Sequence, residues 1–106
     1  MWNSKMKALT FSYDDGVEQD IRLIEILDRY HLRGTFNLNP GLQSPEHTFQ
    51  KGSVTVRHLP LAQLPEVYKN HEVAGHTNTH LHLEQLDDAR LHEEIHRGQD
   101  TLEQLF

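Results

Sequence analysis

The feature that most limits what this chain can fold into is a change of hydrophobic period, made twice. The apolar run Ala8-Leu9-Thr10-Phe11 gives way at Asp14-Asp15-Gly16 to a stretch in which Val17, Ile21, Ile24 and Leu27 recur at helical spacing, widened by Leu23, Ile26 and Tyr30. The spacing predicts a strand over residues 6–12, a turn, and an amphipathic helix over residues 17–32 that ends before Gly34, with Glu18 and Asp20 suited to its first turn. Residues 34–39 alternate polar and apolar as a second strand that Pro40-Gly41 stops. Later, residues 72–75 form a brief apolar run, and residues 86–106 carry Leu91, Ile95, Gly98, Leu102 and Leu105 on one helical stripe. Gly98 would cost about 1 kcal/mol relative to Ala inside a helix, so its place on the stripe predicts close approach to a neighbouring backbone.

Between these units, residues 44–65 are broken by Pro45, Pro60 and Pro65. Only Val54-Thr55-Val56 reads as strand there, and the segment is expected to be a long loop with a short helix near residues 66–69. The order strand, helix, strand, irregular segment, strand, helix favours an α/β fold with parallel strands and flanking helices. At 106 residues the chain is sized for one folding unit. A formal net charge of -6, with no basic stripe, argues against nucleic acid as a partner. No cysteine is present, which excludes disulfides and thiolate metal sites. The N-terminus lacks an apolar stretch of signal-peptide length and no run is long enough to span a membrane, so a cytoplasmic location is the default expectation.

Two clusters carry the chemistry. Asp14-Asp15 follow the first strand and His76-Thr77-Asn78-Thr79-His80 follow the third, both at the C-terminal edge where parallel α/β folds bind ligands. Adjacent aspartates at a turn serve as helix caps; in a cleft, one binds a cation while the other accepts a proton from water. Imidazoles four residues apart converge on one ion in a helical turn or around a tight loop. An oxygen ligand with two nitrogen ligands suits a hydrolytic metal site that keeps one position open. Thr77 and Thr79 could fix the loop backbone or hold a ligand's partner, and Tyr13 could line the cleft or pack. His31, His47, His58, His71, His92 and His96 are expected at the surface, while His82, nearer the cluster, is open to either role.

These residues resemble the polysaccharide deacetylase family, the NodB-homology group of carbohydrate esterases. Its Thr-Phe-Asp-Asp-Gly motif is similar to Thr10-Phe11-Ser12-Tyr13-Asp14-Asp15-Gly16, with Ser12 and Tyr13 intervening, and its His-(Ser/Thr)-x-x-His motif matches residues 76–80. Gly34-Thr35-Phe36-Asn37 and His71-Glu72-Val73-Ala74-Gly75 resemble the family's second strand and the strand before the histidines. The resemblance implies a partial (β/α) barrel, with residues 1–106 as the N-terminal part of the domain. It implies Asp14 as general base, Asp15, His76 and His80 as metal ligands, and Tyr13 and Thr77 as residues around the ligands or substrate. The cofactor would be a divalent metal, zinc by default, with cobalt, nickel or manganese as alternatives. The activity implied is hydrolysis of an N-acetyl, or less often O-acetyl, group on a sugar.

The family's later motifs, which supply an arginine that orients the base and a Leu-x-Leu-His whose histidine is the general acid, have no counterpart before Phe106. The chain alone is therefore expected to be incomplete as a catalyst, and to self-associate or need a C-terminal half. The alternatives are an amidase of the same fold acting on a small non-peptide amide, and a noncatalytic module that binds metal or carbohydrate.

Overall fold

The computed structural model describes residues 2–106. In chain order its elements are β1 (Ser12–Asp14), α1 (Gln19–Arg29), β2 (Thr35–Leu38), β3 (Thr48–Lys51), β4 (Val54–Arg57), α2 (Leu64–Val67), β5 (Glu72–Gly75) and α3 (Asp88–Leu105). β1, β2 and β5 form a parallel sheet with β2 in the middle, while β3 and β4 form a separate antiparallel hairpin. The expected α/β class with parallel strands is what the chain adopts, as an open three-stranded sheet.

Side-chain alternation gives this sheet two unlike faces. Tyr13, Phe36 and Val73 lie side by side in register and, with Leu38, face the core. Ile24 and Leu27 of α1, Leu64 and Tyr68 at α2, and Leu102 of α3 complete the cluster, so all three helices cover the same face. Phe36 and Leu38 are fully buried, and each contributes about 1.5–3 kcal/mol by leaving water. Exposed ion pairs such as Arg22–Glu25 contribute about 0–1 kcal/mol, so the apolar face dominates stability. The other face is polar: Ser12, Asp14, Thr35, Asn37 and Glu72 line it, and the Thr35 hydroxyl donates to the Glu72 carboxylate.

The first strand is shorter than the pattern predicts and lies later, sharing only Ser12 with residues 6–12 and running on through Tyr13 and Asp14. β2 offers four residues for pairing and β1 uses three of them, so the chain before Ser12 gains only the bond from Thr35 N–H to the Phe11 carbonyl, and Leu9 stays 78% exposed. α1 ends in a Schellman motif: His31, at φ 55°, donates to the Asp28 carbonyl and Leu32 N–H to the Leu27 carbonyl. Gly34, before which the pattern ends the helix and where a breaker is expected, plays no part in that stop; it is buried where a Cβ would meet Leu27, Phe11 and Phe36 at 3.5 Å.

The segment expected to be irregular contains the β3–β4 hairpin, closed by Gly52-Ser53 with Gly52 at φ 63°. Its base is tied to the start of α1, where Glu18 N–H donates to the Arg57 carbonyl and Leu59 N–H to that of Gly16. In α3, the Asp87 side chain caps the helix by accepting from Arg90 N–H at 2.8 Å. Glu94 takes the inward position assigned above to Ile95, which is 44% exposed; the buried stripe is Glu94, Gly98 and Leu102. No helix among the described residues is long and apolar enough to cross a membrane.

Candidate metal centre

β2 acts as a ruler for two loops. Beyond the end of β1, Asp15 N–H donates to the Asn37 carbonyl at 2.9 Å; beyond β5, His76 N–H donates to the Leu38 carbonyl at 3.0 Å. Both segments therefore leave the same C-terminal edge, on either side of one strand. Asp15 then turns at φ 83°, a conformation Asp and His adopt more readily than most residues, and Gly16 follows at φ 68°. The histidine segment is a tight loop, with Thr77 at φ 66° and His80 at φ 56°. The Thr77 hydroxyl accepts from His80 N–H at 3.1 Å, fixing the second imidazole's backbone.

The result is convergence. Asp15 Oδ1 lies 3.8 Å from His76 Nε2 and 3.6 Å from His80 Nε2. One ligand atom from each residue lies within 4.8 Å of the others. A tetrahedral zinc ion, with bonds of about 2 Å, sets its ligands roughly 3.3 Å apart, so the two Asp15–imidazole distances lie within about half an ångström of that and the full set closes with side-chain movement of up to about 1.5 Å. Asp15 Oδ1 is also buried without a hydrogen-bond partner while it faces two imidazoles. An acceptor-only oxygen left bare beside two further lone pairs fits a cation. These three residues are the group among the described residues that offers such a donor set.

Asp14 is placed differently. It ends β1 on the polar face, exposed, with its Oδ1 accepting from Asn37 Nδ2 at 2.8 Å. The same amide donates to Ser12 Oγ at 2.9 Å. Tyr13 points to the opposite face from Asp14, half-buried, and stacks on Phe36 with ring centroids 5.7 Å apart. Alternation along β1 thus turns its ring toward the core, away from the polar face that carries Asp14.

α3 supports the histidine loop from behind. Glu94, buried at 8% exposure, accepts from Thr79 N–H at 2.8 Å and from the Thr79 hydroxyl at 2.7 Å, and its own carbonyl accepts from Asn78 N–H. One turn on, a Cβ at Gly98 would come within 3.1 Å of the Thr77 and Asn78 backbone, the close approach its place on the stripe predicts. Asn37 and Glu94 went unrecognised as site residues in the sequence. For Asn37 the signal was a polar residue at the C-terminal end of a strand; for Glu94 there was none, since helix carboxylates are usually solvated.

A model of the family described as polysaccharide deacetylase matches residues 3–106. The chain belongs to the polysaccharide deacetylase family. Neither the curated proteins nor the solved structures include one that matches it.

Of the other histidines, His31, His47, His92 and His96 are exposed as expected. Two are not. His58 is buried, with Nδ1 2.8 Å from the His47 carbonyl. The His71 ring is fully buried, its Nδ1 accepting from Gly34 N–H at 3.2 Å and its Nε2 donating to Asp28 Oδ1 at 3.0 Å. Both nitrogens are satisfied, which is what permits the burial. His82 stays outside the group formed by Asp15, His76 and His80, exposed and with Nδ1 3.4 Å from Glu84 Oε1.

Proposed function

We propose that this deacetylase chain holds the metal of a hydrolase that removes N-acetyl, or O-acetyl, groups from a sugar polymer. The observation that carries the reading is the convergence of Asp15, His76 and His80, with a bare buried carboxylate oxygen at its centre. The one-sided helices and the open polar face of the sheet support an arc of a barrel, whose interior would carry the polar residues.

Asp15 Oδ1, His76 Nε2 and His80 Nε2 would hold the ion. A divalent metal bound there, zinc by default, supplies Lewis acidity toward the acetyl carbonyl and the attacking water. Asp14 is the proton acceptor. Its Oδ1 is occupied by the Asn37 amide, so Oδ2 is the oxygen open to a proton. Burial of Tyr13 against Phe36 leaves substrate contact to the residues of the polar face.

The test is acetate release from N-acetylglucosamine oligomers by the protein expressed from its complete reading frame. Turnover that zinc or cobalt restores after chelation supports the reading; metal-loaded protein that releases no acetate from N-acetylated or O-acetylated sugars overturns it.

A further inference from the structure

Residues 39–43, which follow β2, touch both ligand-bearing loops at once. Asn39 Nδ2 donates to the His76 carbonyl and, at 3.2 Å, to that of Thr77. Gly41 N–H donates to the Asn78 carbonyl at 2.9 Å, and a Cβ there would lie 2.8 Å from that same oxygen. On the other side Gln43 Nε2 donates to the Asp15 carbonyl at 2.7 Å and lies over Gly16, where a Cβ would meet it at 2.7 Å. In the sequence, Pro40-Gly41 reads only as the stop of a strand.

Ordinary turn packing does not account for the two carboxamides. Asn39 is 0% exposed and Gln43 6%, yet each leaves its amide oxygen without a partner. Their orientation is set, because the atoms facing them are carbonyl oxygens and only an N–H can meet those. The N–H bonds of each amide offset only part of the cost of burying its bare oxygen. What the amides do is hold the carbonyls of Asp15 and His76, hence the backbone from which those two side chains depart. Asp15 and Thr77, the two residues they grip beside the centre, are both in the left-handed region.

We propose that Asn39 and Gln43 are positioning residues for the three-ligand centre, setting the distance between Asp15 on one side of β2 and the histidine loop on the other. The proposal rests on the metal reading above. It separates from a purely structural role because removing the amide of Gln43 should leave folding intact while loosening the ligands.

The experiment uses the full chain, with cobalt(II) as the probe, and follows its visible absorption together with the thermal midpoint of the metal-free protein. Gln43→Met keeps the length of the side chain and removes the amide. Its metal-free midpoint is expected to fall by a few degrees at most, because the Asp15 carbonyl loses its donor, while cobalt affinity falls by about 10- to 100-fold, more than that loss of stability accounts for, and the visible band shifts. If Gln43→Met does not fold, Gln43→Leu, which also lacks the donor and adds no charge, carries the same comparison. A variant with parental affinity and band overturns the proposal alone, as does affinity lost only in step with folding stability. A parent chain that binds no cobalt overturns the metal reading and this proposal together.

Discussion

Asp14 and Asp15 are neighbours with opposite surroundings, and the difference comes from one dihedral angle. The strand ends at Asp14, which stays on the polar face with one oxygen held by Asn37; Asp15 swings at φ 83° and buries a bare oxygen against two imidazoles. Substitution by Asn separates the two, since Asn tolerates the left-handed region and is nearly isosteric. Asp15→Asn is expected to weaken zinc binding by at least about tenfold in a calorimetric titration, because it removes the ligand charge. Asp14→Asn is expected to bind zinc as the parent does and to lose turnover, by about 100- to 10,000-fold. Equal metal affinity across both variants would contradict the division of roles. Asp14, Asp15, His76 and His80 stand out in the sequence as candidates because aspartate and histidine at strand ends suit metal and proton chemistry. Asn39 and Gln43 do not, since a carboxamide near Pro-Gly looks like any turn residue until the carbonyls it meets are in place. His71 was misjudged for a related reason: burial of an imidazole depends on partners from Gly34 and Asp28, which lie far from it in sequence.

At the level of elements, period and punctuation revealed most of the architecture, and pairing partners decided the rest. α1, β2, β5 and α3 fall where their patterns place them, because each buries one stripe or one face. β1 begins late because its partner β2 starts only at Thr35, opposite Ser12. The hairpin escaped notice behind three prolines, although Gly52-Ser53 between alternating runs was a usable signal. α3 does more than cover the sheet. Its Gly98 lets the helix lie against the backbone of Thr77 and Asn78, and Glu94 then reaches Thr79. Gly98→Ala gains about 1 kcal/mol of helix propensity in an exposed helix. Here the added methyl forces the histidine loop outward, and overpacking costs about 1–3 kcal/mol. Urea unfolding should therefore show net destabilisation; a more stable Gly98→Ala variant would show that α3 does not press on the loop as described.

Across the whole molecule, helices cover one face of a small sheet while the polar face and the edge that carries Asp15, His76 and His80 remain open. A buried carboxyl accompanies that arrangement: Asp20, 5% exposed, accepts from the Tyr68 hydroxyl at 2.6 Å beneath α1. Loss of water around Asp20 raises its proton affinity above the ordinary carboxylate value, more than the bonds from Tyr68 and the Val17 backbone lower it. A raised folded value means that its contribution is full below about pH 3.8 and is lost as pH climbs through that folded value. Removing the group should flatten the slope: metal-free Asp20→Asn, unfolded in urea from pH 4 to 7, is expected to lose less stability with rising pH than the parent. A parallel slope in both would place the titration elsewhere. The central claim, that one cation joins the two loops, is tested most directly by anomalous diffraction from crystals soaked in zinc. A single strong peak within about 2.0–2.2 Å of Asp15, His76 and His80 is the predicted result; a peak between His92 and His96, with none beside Asp15, would contradict it.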